Sequence, residues 1–440
     1  MLTIVGLLFV WEKSVEWVRD NVSVALLPVI ESILAEMGGL GFIGLVLQTS
    51  LGGANREFLE VLSVKFFGEA DILVETFEFL HTSFFQVGIG FFIAAGAMVA
   101  VGLRKLAEIE TIQELRPDAM GACTVSADKL AAYLPVVDDN ELLYLQTKAN
   151  PIPLLWSEIM MPTEERAGKV LLMRDDLMRR FNLPNTFRIE TFVECAFAKN
   201  LLETVELSPL TWVYLIPALA LANSVDLSHE VVNAASPNAA ESAGYFFSTP
   251  WAIGPSVFTV LLSLIWGYWN CYKMTYIKYM LMPRLGRDEG TGAAKVFPPP
   301  VEFELCRQNF NSSPPWVQPI EKVWAKPARN DYDSLFGTAG AAGPALYRNS
   351  IKFHTWLCIT NVVFFGSQIV SRDVDAVLTG TVVGDPSHLI PELVAYGSFV
   401  LLTLVQLIFV APRAFWNFCI VSSVEERESA ELLEAQCITP

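Results

Sequence analysis

Phe84–Leu103 reads FFQVGIGFFIAAGAMVAVGL, twenty residues without a charged side chain. A helix rises about 1.5 Å per residue, so ~20 residues cross a hydrocarbon core of about 30 Å. Ile253–Tyr272, Phe353–Val370 and Leu393–Val410 repeat the pattern. A single run of this kind fits a buried core helix. Several of them, in a chain that is 52% hydrophobic with a mean hydropathy of +0.41, point to a multi-pass membrane protein.

Three weaker segments complete the set. Met37–Leu51 is extended on its N-terminal side by the apolar stretch Ser23–Ile33. Pro209–Asn223 is short and carries Pro217. Met1–Val10 (MLTIVGLLFV) would reach only about 15 Å as a helix, and it has neither the basic start nor the small-residue cleavage site of a secretory signal. It reads as part of a first transmembrane helix whose outer half is missing. The expected fold is therefore an all-α membrane protein, a bundle of about seven transmembrane helices.

The segments between the runs sort by their basic residues. Trp11–Glu36, Arg104–Ser208, Lys273–Lys352 and Ala411–Pro440 hold 27 of the 30 Lys and Arg, and the alternating set Gly52–Ser83, Ser224–Ala252 and Ser371–Glu392 holds the other 3. Cytoplasmic loops keep Lys and Arg. The expected topology puts the N-terminus outside and the C-terminus in the cytosol. Trp212, Trp251, Trp266, Trp269, Phe415 and Trp416 stand where interfacial aromatics belong.

Two cytosolic loops are long. In 104–208 the residues Ile189, Phe192, Val193, Ala196, Phe197 and Leu201 recur at helical spacing, which predicts an amphipathic helix leading to the membrane at Ser208-Pro209. The 273–352 loop holds Pro298–Pro300, Pro314-Pro315 and the Gly337–Gly343 stretch GTAGAAG, and reads as linker. GTAGAAG is no phosphate loop, because no Gly-Lys-Ser/Thr ending follows it. The tail 411–440 is short and acidic.

The net charge of −17 and the lack of a basic block exclude a nucleic-acid partner. The expected partners are membrane lipid and a second copy of the chain. Seven cysteines and four histidines are scattered, without zinc-type spacing, so no metal site and no cofactor is expected. HExxH, GxSxG and Walker patterns are absent, and the chain is read as no enzyme.

Ile30–Leu47, IESILAEMGGLGFIGLVL, resembles without gaps the second helix of the MLO family of seven-transmembrane proteins, including Glu31, Glu36, Gly41 and Phe42. Phe187–Trp212 is similar to that family's amphipathic segment and the start of its fourth helix, through Phe187, Phe192, Val193, Phe197, Leu201, Ser208, Pro209 and Trp212. His81, with the aromatics after it and Arg104-Lys105-Leu106 at its end, is similar to the third span. His354, Asn361 and Pro412 have looser counterparts in the sixth and seventh.

The resemblance implies a plasma-membrane protein of calcium-linked signalling and defence, a calcium-permeable cation channel in which calcium is the permeant ion. It also implies a calmodulin-binding tail, but calmodulin targets are basic amphipathic helices and this tail is acidic. Calmodulin binding is therefore assigned to no residue here. The outer loops also lack the paired cysteines usual in the family. The alternative function is a non-conducting signalling scaffold acting through its cytosolic loops. A seven-span receptor or a transporter ranks below both.

Polar residues at membrane depth are costly and mark ion paths. Glu36, at the start of the second span, is the first candidate, with Glu31 five residues before it. Gln86, Asn361 and Gln368 are further candidates, and Gln48 and Gln406 also supply amide oxygens. Calcium takes 6–8 oxygen ligands. The 13 acidic residues of the outer loops would gather cations there.

Overall fold

The computed structural model describes, besides isolated positions, residues 22–68, 72–114, 163–181, 187–206, 250–287, 294–297, 331–371 and 389–424. They are mostly helical. Helices α1 (Leu27–Ser50), α2 (Ala54–Phe67) and α3 (Ile72–Glu114) come first, followed by α4 (Thr163–Phe181), α5 (Ile189–Val205) and α6 (Pro250–Leu281). A two-stranded antiparallel hairpin follows, β1 (Arg284–Arg287) with β2 (Ala294–Phe297), pairing Arg284 with Phe297. Then come α7 (Gly343–Ser371) and α8 (Leu389–Val405), and a five-residue π-helix, Gln406–Val410, joins α8 to α9 (Ala411–Ser423).

Five of the seven apolar segments coincide with helices, in α1, α3, α6, α7 and α8 with its π-helix. Met1–Val10 and Pro209–Asn223 lie outside the described residues. Two helices, Ile72–Ile112 and Val394–Ser423, are long and apolar enough to cross a membrane.

α3 is the longest element. Its 43 residues extend about 65 Å, twice the depth of a hydrocarbon core. One face of its apolar part is buried through Val87, Phe91, Ala94 and Met98, while Phe85, Ile89, Phe92 and Leu103 stay exposed on the other. α6 exposes Phe258, Leu261 and Ile265 at the same helical spacing, and α8 exposes Val394, Leu401 and Val405. Large apolar residues thus run in stripes along the outside of these helices.

α9 is the hub. It packs against α3, α5, α6 and α7, and nearly all its residues are buried. The sequence boundary at Ala411 therefore does not end the packed structure, because the helix runs on through Ser423. Asn417 and Arg413 interrupt the apolar run there, yet Phe415, Phe418, Ile420 and Val421 belong to the main core.

α5 covers this hub. Ile189, Phe192, Val193, Phe197 and Leu201 are fully buried, and Asn200 and Thr204 on other sides of the helix are largely buried as well. The Phe197 ring lies directly on Gly102 of α3, where a Cβ would come within 2.1 Å of it. It also meets Phe415 edge-on at 5.8 Å and Trp416 at 5.9 Å. A glycine in mid-helix costs about 0.5–1 kcal/mol; at Gly102 it lets three helices close around one ring.

GTAGAAG, read as linker, is packed as well. Gly337–Ala339 makes a 3-10 turn, Ala339 is buried, and Gly343 starts α7 against the ring of Phe336. Gly337 and Gly340 take positive φ values of 64° and 51°, a backbone region favourable only to glycine.

Candidate functional site

α6 and α7 run antiparallel, and polar side chains line their contact at helical spacing. On α6 these are Thr259, Ser263, Trp266 and Asn270. On α7 they are Asn361, Cys358, His354 and Ser350. At one end, Asn361 Nδ2 donates to the Thr259 carbonyl at 3.3 Å. At the other, the Ser350 hydroxyl donates to Asn270 Oδ1 at 2.7 Å and accepts from Trp266 Nε1 at 3.0 Å. Asn270 Nδ2 also reaches the Ser350 carbonyl at 3.3 Å.

The centre is formed where α8 gives way to the π-helix. His354 is fully buried, and its ring lies on Gly267 of α6. Gln406, the first π-helix residue, turns inward, with its Nε2 donating to Ser263 Oγ at 3.2 Å and its Oε1 3.4 Å from His354 Nε2. Ser263 in turn donates to the Val260 carbonyl at 2.8 Å. Cys358 Sγ is 3.5 Å from the same Nε2. A buried polar group without a partner is costly, and His354 Nδ1 has no hydrogen-bond partner.

The seam continues below. The Cys271 thiol donates to the Val410 carbonyl at 3.3 Å, in the π-helix, where the α-helical pairing is interrupted. Asn417 of α9 then donates to Thr275 Oγ1 at 2.9 Å and accepts from Lys278 Nζ at 2.9 Å. From Thr259 to Lys278 the polar line covers about 28 Å of α6.

Lys352 closes the basic end. Its ammonium donates to the Glu203 carbonyl at 3.3 Å and to that of Glu206, satisfying carbonyls at the C-terminus of α5. Arg348 pairs with the Glu203 carboxylate beside it. Burial lowers the Lys352 pKa; the carboxylates of Glu206 and Glu36 oppose this.

The residues singled out in the sequence separate. Glu36 is half-buried on α1 and close enough to Lys352 to act on its charge, whereas Glu31 is exposed. Gln86 is half-buried on α3, its Oε1 shut from solvent without a partner. Of the four whose side chains are described, Asn361 lies on the α6–α7 seam. The Gln368 and Gln48 side chains and all of Ser208, Pro209 and Trp212 lie outside the described residues.

Of the family-like positions, Gly41 and Phe42 are exposed on α1, His81 is half-buried, and Phe192 and Pro412 are buried. Sequence reasoning missed His354 with Cys358 as a pair. Their spacing of four, one helical turn, was the available signal.

Among the described residues, no three His, Cys, Asp or Glu side chains gather into a metal-binding group. Compared with protein-family models, with curated proteins and with solved structures, the chain matches none.

Proposed function

We propose that this chain is a multi-pass membrane protein of MLO type, acting at the plasma membrane in calcium-linked signalling as a calcium-permeable cation channel rather than as an enzyme. The carrying observation is the polar seam between α6 and α7, enclosed by helices whose outer faces are apolar. Neutral oxygens and amides in such a line are the kind of groups that replace water around a moving cation. In this conformation they bond to one another, so the seam is the closed form of the path. The sequence resemblance at Ile30–Leu47 supplies calcium as the ion, and the basic-loop pattern supplies the orientation, N-terminus outside and C-terminus in the cytosol.

The second reading, a non-conducting scaffold, draws support from the basic end. There α4 and the β1–β2 hairpin pack as a layer on the end of α3, joined through Leu285, Leu171 and Ile112. Such a layer offers a partner a rigid surface.

Calcium influx into cells expressing the chain separates the two. Under the channel reading, influx depends on external calcium and falls severalfold in Asn361→Leu at matched surface level. It also falls in Glu36→Gln if the mouth of the path lies at Lys352. Absence of influx from protein confirmed at the surface assigns the chain to the scaffold reading.

A further inference from the structure

We propose that His354, Cys358 and Gln406 form a binding site for monovalent copper, independent of whether the seam conducts. His354 and Cys358 sit one helical turn apart on α7 and are both fully buried, and Gln406 faces them from the π-helix. Three donor atoms meet there, with Nε2 lying 3.5 Å from Sγ and 3.4 Å from Oε1. The Nε2···Oε1 separation is long for a hydrogen bond, whose N···O distances cluster near 2.9–3.0 Å, whereas 3.5 Å is ordinary for one that involves sulfur. Both separations fit two ligands sharing one ion. With metal–nitrogen and metal–sulfur bonds of about 2.0 and 2.3 Å, ligand atoms at trigonal or tetrahedral angles stand roughly 3.5 Å apart.

Charge selects the ion. The site lies in the buried interior, and no Asp or Glu completes a group of three with His354 and Cys358 among the described residues. Binding releases the thiol proton, so that Cys–SH and Cu⁺ give a neutral Cys–S–Cu unit and H⁺. A divalent zinc ion on the same single thiolate would leave one uncompensated positive charge in a low-dielectric core, which is costly. Thiolate and imidazole are also the ligands that soft ions take, and a low coordination number suits a site with one sulfur, one nitrogen and a weak amide oxygen. Gly267 lets the α6 backbone approach the imidazole closely.

The test uses the purified full chain in detergent under anaerobic conditions, titrated with Cu⁺ against a competing chelator, with X-ray absorption to identify the ligands. The expected result is one Cu⁺ per chain with one sulfur and one nitrogen neighbour. Cys358→Ser is expected to lose the sulfur neighbour and about 100-fold or more in affinity. Cys419→Ser, at another buried cysteine on α9, is expected to bind as the unmodified chain does. His354→Gln is expected to lose the nitrogen neighbour. Size-exclusion profiles of the metal-free proteins identify any variant that has not folded, in which case the ligand identities in the unmodified chain decide. The proposal is overturned if the folded, unmodified chain surrenders all Cu⁺ to the chelator, if it holds Cu⁺ without sulfur and nitrogen neighbours, or if folded Cys358→Ser retains Cu⁺ equally well.

Discussion

Gly267 of α6 lies directly beneath the ring of His354 on α7: a Cβ at position 267 would stand 2.4 Å from Nε2. The missing side chain is what lets the imidazole occupy the centre of the α6–α7 interface.

Gly267→Ala is therefore expected to destabilise the bundle by about 1–3 kcal/mol, the usual cost of forcing atoms into a packed core. The matching control is Gly96→Ala on α3, where a methyl group would meet nothing within 4 Å and the position is exposed. There the higher helix propensity of alanine is expected to leave stability unchanged or raise it by up to about 1 kcal/mol. Thermal unfolding of both variants in one detergent checks the contrast. Equal melting temperatures would show that His354 does not rest on Gly267.

Phe197→Ala removes the ring shared by Gly102, Phe415 and Trp416, at a site with no solvent exposure. The expected loss is about 3–5 kcal/mol. Because the same ring holds Phe415, the double variant with Phe415→Ala is expected to lose less than the sum of the two single losses. Equilibrium unfolding of the four proteins measures that difference.

Asn417→Leu takes a hydrogen-bond partner from two groups at once, Thr275 Oγ1 and Lys278 Nζ. A buried group left unmatched costs about 1–3 kcal/mol. The effect is expected to be local to α6 and α9, with hydrogen exchange quickening there before it does in α1. Uniform quickening across all helices would contradict a local role for this amide.

Lys352 links stability to pH. Burial penalises its ammonium, so its folded pKa lies below the ordinary 10.5 despite the nearby Glu206 and Glu36 carboxylates. The unfolded chain then holds more protons between the two values, and stability rises with pH across that window. The penalty is full at neutral pH and lifts as pH climbs through the folded pKa. Lys352→Met is expected to flatten this rise, which shows as a shrinking difference between the two proteins' melting temperatures with pH, once the loss of the bonds to the Glu203 and Glu206 carbonyls is allowed for as a constant offset.

Much of the framework was readable locally. Phe84–Leu103 and Leu393–Val410 announce helices because their length and lack of charge leave few other structures, and the Ile189 to Leu201 spacing names the residues that α5 buries. The seam was not readable in the same way. Ser350 and Asn270 are 80 residues apart in the chain, and nothing near either of them states the antiparallel register that brings them together. Gln406 looked like one more amide in an apolar run; its inward turn comes from the π-helix, whose only local hint is Pro412 just beyond it. Pro412 has no amide hydrogen to give, so regular pairing must be interrupted in the preceding turn.

The π-helix also says which change in chain length this protein tolerates. A π turn is an α-helix carrying one residue too many. Removing one residue from an ordinary stretch of helix turns everything beyond it by about 100°, which in α9 would swing Phe415 and Phe418 away from the core. Removing Phe409, which points outward and is 66% exposed, would instead straighten the joint and leave α8 and α9 on the faces they now use. Gln406–Val410 is thus the one described stretch of the long C-terminal helix where a single-codon deletion is absorbed as a repair of the helix rather than a frameshift in its packing.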